Sequence, residues 1–214
     1  MNLLFITAAV PHSRVYSGNI VIHHRLRLLA ERGYRIGLAS FCQPGEEAGL
    51  EEIRGLVQEC ETRFAPPPRT ALRKLIGHLA GPVPSPLTRF RDPGMDALVG
   101  RMVTHGRYDV AIAEFTGMGQ YLFRNPYLPA VRRILSVHSC ATSAFEKAIQ
   151  VAPGSASSLW KRLALPRLRR YEMALYRSAD MVITLTEEER QAILKLDPNI
   201  RIALSRYGVD TDRF

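Results

Sequence analysis

Leu3-Leu4-Phe5-Ile6-Thr7-Ala8-Ala9-Val10 opens the chain as an apolar run that stops at Pro11, and a second run, Arg35-Ile36-Gly37-Leu38-Ala39-Ser40-Phe41, follows after a helical pattern and a glycine. The first run shows no alternation of polar and apolar residues, as expected of a strand covered on both faces in a parallel sheet. It is too short to span a bilayer and lacks the basic start of a signal peptide. Between the runs, Asn19 to Arg32 carries Ile20, Ile22, Leu26, Leu29 and Ala30 at helical spacing, with Arg25, Arg27, Glu31 and Arg32 on the remaining surface. Gly33 marks the end of that helix. Strand, helix and strand in this order predict a parallel unit whose helix packs on one face of the sheet.

The same alternation continues outward. Glu46 to Cys60 reads as a helix, weakened by Gly49 and Gly55, and Glu61 to Ala65 as a short third strand. Pro66-Pro67-Pro68 then breaks the pattern ahead of a basic, amphipathic segment, Arg69 to Leu79, and further prolines through Pro86. Asp92 to His105 resumes as a helix with Asp92 as N-cap and Pro93 in its first turn. Tyr108 to Ala113 and Val131 to Val137 read as strands, Ser139 to Gln150 as loop and helix. Ser157 to Ser178 is a basic helix in which Pro166 either makes a kink or starts a second helix. Asp180 to Leu185 is a strand, and Thr186-Glu187-Glu188-Glu189 a capping box for a helix to Leu196. Ile200 to Ser205 closes the set, with a positive φ expected at Gly208. The fold class is α/β: a Rossmann-like, three-layer domain with a mostly parallel sheet flanked by helices.

At 214 residues, 46% hydrophobic and 23% charged, the chain is long enough to bury one sizeable core. Its formal charge of +9 rests on arginine, since only four of the 29 basic residues are lysine. Arginine suits planar, bidentate partners such as phosphates and carboxylates. The charge alone is compatible with a phosphate-bearing substrate, an anionic membrane surface, nucleic acid or a solvated face. Cys42, Cys60 and Cys140 form neither a Cys-x-x-Cys pair nor a zinc pattern, and read as reduced thiols of a cytosolic protein. His23 and His24 adjoin on one helix and point to different sides, so no metal site is expected.

In an open parallel sheet, ligands gather beyond the carboxyl ends of the strands. That rule selects Ser17-Gly18-Asn19, where a small residue at a helix N-terminus would let backbone amides approach an anion. Neither Gly-x-Gly-x-x-Gly nor a phosphate loop is present, and Ser17 as an ordinary N-cap with Gly18 turning the chain is the plain alternative. Glu114 ends the fourth strand and His138 the fifth, both placed to face the cleft, His138 suited to hold hydroxyls or a proton. Thr186 and Gly208, after the last two strands, complete the candidate substrate contacts.

Several segments, in order, resemble the N-terminal domain of glycosyltransferase family 4, which has the GT-B architecture. They are the Leu3 to Thr7 strand, Ser17-Gly18-Asn19, Tyr108-Asp109-Val110, His138, Arg169-Arg170-Tyr171-Glu172 ahead of Ser178-Ala179-Asp180-Met181-Val182-Ile183-Thr184-Leu185-Thr186, and the closing Tyr207-Gly208-Val209-Asp210-Thr211-Asp212-Arg213-Phe214. Ser17 departs from the family's frequent Gly-Gly pair, Ser139 from the Asn or Asp that often follows the histidine, and Arg206-Tyr207 from its Pro-Asn. The resemblance implies that residues 1–205 form an acceptor-binding domain and 206–214 begin the linker to a C-terminal donor-binding domain outside this chain. It implies a retaining transfer from a nucleotide-sugar donor, bound as substrate with no cofactor, to a glycan, lipid-linked or small-molecule acceptor. His138 would be catalytic, and Ser17, Gly18, Asn19, Glu114, Thr186 and Gly208 would bind substrate. The expected location is cytoplasmic, with peripheral contact to an anionic membrane through the basic segments, and no nucleic-acid partner. The rival reading is a stand-alone basic Rossmann-like module for nucleic acid or another anionic partner. A complete single-domain nucleotide-binding enzyme is disfavoured by the missing phosphate loop.

Overall fold

The computed structural model describes residues 1–13, 18–67, 70, 83–206 and 208, and among them lie seven strands and six α-helices. The strands are β1 (Asn2–Thr7), β2 (Arg35–Cys42), β3 (Glu59–Phe64), β4 (Val110–Glu114), β5 (Arg132–Val137), β6 (Met181–Thr184) and β7 (Ile202–Leu204). They form one sheet in the order β3-β2-β1-β4-β5-β6-β7. Every neighbouring pair is parallel, so the sheet is wholly rather than mostly parallel.

The helices are α1 (Gly18–Glu31), α2 (Glu47–Arg54), α3 (Pro93–Gly106), α4 (Ala141–Val151), α5 (Ala156–Arg177) and α6 (Glu187–Leu196). They cover both faces, which is why β1 has no polar alternation. Leu3 and Phe5 pack with Ile22 and Leu26 of α1 and Ile53 of α2. Leu4 and Ile6 turn to the opposite face, to Met95, Val99 and Met102 of α3 and, further along that layer, Tyr176 of α5. Successive strand residues point to opposite sides, so one apolar run feeds two cores.

Local chemistry sets the boundaries. Gly33, at φ 80°, ends α1 in the left-handed conformation; its N–H reaches the Ala30 carbonyl at 2.9 Å and the Tyr34 N–H the Leu29 carbonyl at 3.1 Å, the Schellman closure. Asp92 caps α3, accepting from the Gly94 N–H at 3.0 Å, with Pro93 in the first turn. α2 is shorter than the sequence suggests. It stops at Arg54, because Gly55 offers little helix propensity and buried Ile53 and Val57 fix the exit, and β3 starts at Glu59 rather than Glu61. Of the two readings of Pro166, the start of a second helix does not hold: α5 runs through it for 22 residues. Gly33 and Gly45 are left-handed glycines. The basic segment Arg69 to Leu79 lies, apart from Thr70, outside the described residues.

Candidate active site at the carboxyl edge of β1, β4 and β5

β1 is flanked by β2 on one side and β4 on the other, so successive crossovers leave it in opposite directions and open a crevice at the carboxyl ends of β1 and β4. Gly18 starts α1 there. A Cβ on Gly18 would lie 2.6 Å from Phe115 Cζ and 3.3 Å from His138 Nδ1, so only glycine lets the helix backbone come this close to both rings. The rings of Phe115 and His138 lie 4.0 Å apart between centroids. Phe115 adopts φ 70°, a left-handed conformation that costs a bulky residue about 1–2 kcal/mol and is found where surroundings impose it. Gly18→Ala is therefore expected to displace the Phe115 ring and with it His138, seen as shifted His138 ring resonances in NMR; unchanged resonances would refute the close approach.

Behind His138 the chain holds a buried charge pair. His138 Nε2 lies 3.0 Å from Glu114 Oε2, and the other carboxylate oxygen accepts from Arg25 Nη1 at 2.5 Å. The same Arg25 nitrogen donates to Ser136 Oγ at 3.0 Å. Glu114 is fully buried, so it supports His138 rather than lining the open cleft as its strand-end position suggests. Burial pushes its carboxyl upward, but the hydrogen bond with His138, the Arg25 and His138 charges and Ser136 outweigh this and hold it below the usual carboxylate range. An ionised carboxylate only accepts, so Nε2 carries a proton; in the neutral ring Nδ1, on the Gly18 side, is the acceptor.

A second buried carboxylate fixes the turn that follows. Glu172 of α5 accepts from the Ala141 N–H and the Thr142 N–H, each at 2.8 Å, from the Thr142 hydroxyl at 2.5 Å and from the Tyr176 hydroxyl at 2.7 Å. Cys140, the N-cap of α4, makes no side-chain cap of its own, so Glu172 replaces one from another helix. Burial together with the Glu172 charge pushes the Cys140 thiol up to about 12, which makes it an inert core residue. Because Glu172 already occupies the first amides of α4, that helix start is not available to an anion. The start of α1 is the other candidate helix N-terminus at this edge of the sheet.

The structure thus brings Gly18, Glu114 and His138 together. Asn19 stands half-buried in the first turn of α1, and Ser17 lies outside the described residues. Thr186 caps α6, accepting from the Glu189 N–H at 3.2 Å, while the Glu189 carboxylate reaches across to the Cys140 N–H at 2.8 Å. The proposed capping box is therefore used to join α6 to α4. Gly208 is exposed, with nothing within 4 Å of the place a Cβ would take. No group of three or more histidine, cysteine, aspartate or glutamate side chains that could hold a metal is found among the described residues.

A sequence model of Glycosyltransferase Family 4 matches residues 18–213. Among solved structures the chain is similar to sucrose-phosphate synthase from Thermosynechococcus elongatus (14% identity, TM-score 0.61, covering 100% of this chain and 50% of that one). It is also similar to Phytolacca americana UGT2 complexed with UDP-2-fluoro-glucose and pterostilbene (12% identity, TM-score 0.52, 100% and 56%). A third is Arabidopsis thaliana UGT89C1 complexed with UDP (10% identity, TM-score 0.51, 99% and 51%). The chain spans about half the length of these structures. No curated protein matches it.

Proposed function

The chain belongs to glycosyltransferase family 4, and from that premise we propose that it is the acceptor-binding half of a two-domain enzyme. That enzyme moves a sugar from a nucleotide-sugar donor to a hydroxyl of a glycan, lipid-linked or small-molecule acceptor, with retention at the anomeric carbon. One observation carries the reading: the start of α1 and the His138 ring converge at the switch point, with Nε2 engaged by Glu114 and Nδ1 on the Gly18 side.

The chemistry follows from that placement. As the bond from sugar to diphosphate breaks, negative charge grows on the departing diphosphate, and the dipole of the α1 N-terminus favours it. The acceptor hydroxyl arrives on the same face. In the tautomer that carries its proton on Nε2, His138 accepts a hydrogen bond from a sugar or acceptor hydroxyl through Nδ1, its ring held by Glu114, which Arg25 holds in turn. The donor is a substrate and no cofactor is required. The neighbours solved with UDP or UDP-2-fluoro-glucose support a nucleotide donor, and the half-length coverage supports a donor-binding domain outside residues 1–205, with 206–214 as linker. A cytoplasmic setting fits three cysteines that form no disulfide. No described helix is long and apolar enough to cross a membrane.

In the full-length protein, His138→Ala is expected to lower kcat about a hundredfold with a smaller change in KM, the scale of losing one oriented hydrogen-bonding group at the reacting centre. Undiminished turnover would remove His138 from the reaction. Residues 1–214 alone are expected to turn over no nucleotide sugar. Steeply salt-dependent binding to generic DNA, with no response to nucleotide sugars, would instead support a nucleic-acid module.

A further inference from the structure

α4 and α5 form an antiparallel hairpin whose level is set by Glu172 and Leu168. Glu172 meets the first residues of α4, and Leu168 packs with Ala141 and Phe145. α4 begins just after β5 ends, at the carboxyl edge of the sheet, so the part of α5 before Leu168 lies beyond that edge, on the side of Gly18 and His138. The lengths agree: α5, at 22 residues, is about 33 Å long, while β6, at 4 residues, is about 13 Å.

The outward face of this overhang breaks the usual pattern of a surface helix. Leu159 and Leu163, one turn apart on α5, are 61% and 69% exposed, and Val151 at the end of α4 is 85% exposed. The leucines that α5 buries are Leu168 and Leu175, further down the helix. Arg162, Arg169 and Arg170 are exposed on the same stripe as Leu159 and Leu163, and from Ala156 to Tyr171 α5 contains no acidic residue. Aliphatic side chains flanked by guanidinium groups match the boundary between acyl chains and phosphate headgroups. A second copy of this surface would bring like charges together, and bidentate arginine selects phosphate.

We propose that the outward face of the α4–α5 hairpin docks on an anionic phospholipid bilayer. Docking there sets the carboxyl-edge crevice beside the membrane surface, where a lipid-linked acceptor would present its hydroxyl. The docking itself rests on the hairpin and does not depend on the transfer reading.

The test is flotation of the full-length protein with vesicles of phosphatidylcholine, with and without phosphatidylglycerol. Binding is expected only with the anionic lipid. Arg169→Gln with Arg170→Gln should weaken it about thirtyfold, from the usual contribution of a basic residue near an anionic surface. Leu159→Ser with Leu163→Ser should weaken it at least about tenfold, with circular dichroism and the unfolding midpoint unchanged because all four side chains are exposed. Equal binding to neutral vesicles, no binding, or binding that both double variants leave intact would each overturn the proposal; in the last case the basic segment around residues 69–79 would be carrying the attachment. A folded leucine variant that loses self-association rather than vesicle binding would assign the face to a second copy and also overturn it.

Discussion

Glu172→Ala is expected to cost about 3–5 kcal/mol of folding stability, a large fraction of the roughly 5–15 kcal/mol that holds a native domain together. The carboxylate is fully buried and accepts from two backbone amides and two hydroxyls; alanine leaves the amides and the Thr142 hydroxyl without this acceptor, while the Tyr176 hydroxyl keeps Thr116 Oγ1 at 3.2 Å. Unsatisfied buried donors cost about 1–3 kcal/mol each, and water entering the vacated volume recovers part of the sum. Urea denaturation measures the loss, and a variant within about 1 kcal/mol of the parent would show that the network is dispensable. The damage should also be local: with the first turn of α4 released, Cys140, which packs under Glu172, should become reactive to a thiol reagent that leaves it untouched in the parent. Glu172→Gln keeps the volume but turns one acceptor into a donor facing amide N–H groups, so it should recover only part of the loss.

The repeating units of this fold are legible because both kinds of period are local. Apolar runs such as Leu3 to Thr7, helix signals such as Asp92-Pro93 and the Gly33 stop can each be read from a few adjacent residues, and the structure uses them as written. The site is a different matter. Arg25 reads as one of several arginines on the outer surface of α1, yet it turns inward to Glu114, a partner 89 positions away. A hint was present: Arg25 lies seven residues after Gly18, nearly two full turns, and so shares the face that Gly18 presents to the crevice. Glu172 stood in the quoted Arg-Arg-Tyr-Glu segment with no role, since a helix cap supplied by a different helix leaves no local pattern. Glu189 shows the same limit, with its box legible and its carboxylate bound elsewhere. Phe115 could not be foreseen at all, because a left-handed phenylalanine follows from the packing of Gly18 and His138 around it rather than from any preference of its own.

Glu114→Ala is expected to cost about 3 kcal/mol, the low end for breaking a buried ion pair, because the Arg25 side chain remains 19% exposed and water can reach the guanidinium it would strand. Removing both partners, as Arg25→Met with Glu114→Leu, should restore most of that stability, since apolar residues of similar size avoid the desolvation of two charges. The pH dependence carries the same signature. The folded Glu114 carboxyl lies below its usual range, so its contribution is fully present above the unfolded value, about 4.3, and is lost as pH falls through the folded value. The stability gap between the parent and Glu114→Gln should accordingly be widest near neutrality and narrow below about pH 4. A gap that stays constant down to pH 3 would show that Glu114 is not the ionised group the geometry makes it. If the double variant folds well yet the full-length enzyme carrying it loses transfer as His138→Ala does, stability is excluded as the reason for the pair. What is left is orientation: Arg25 holds Glu114, Glu114 holds Nε2, and the ring presents Nδ1 on the side of the only residue whose missing side chain makes room for it.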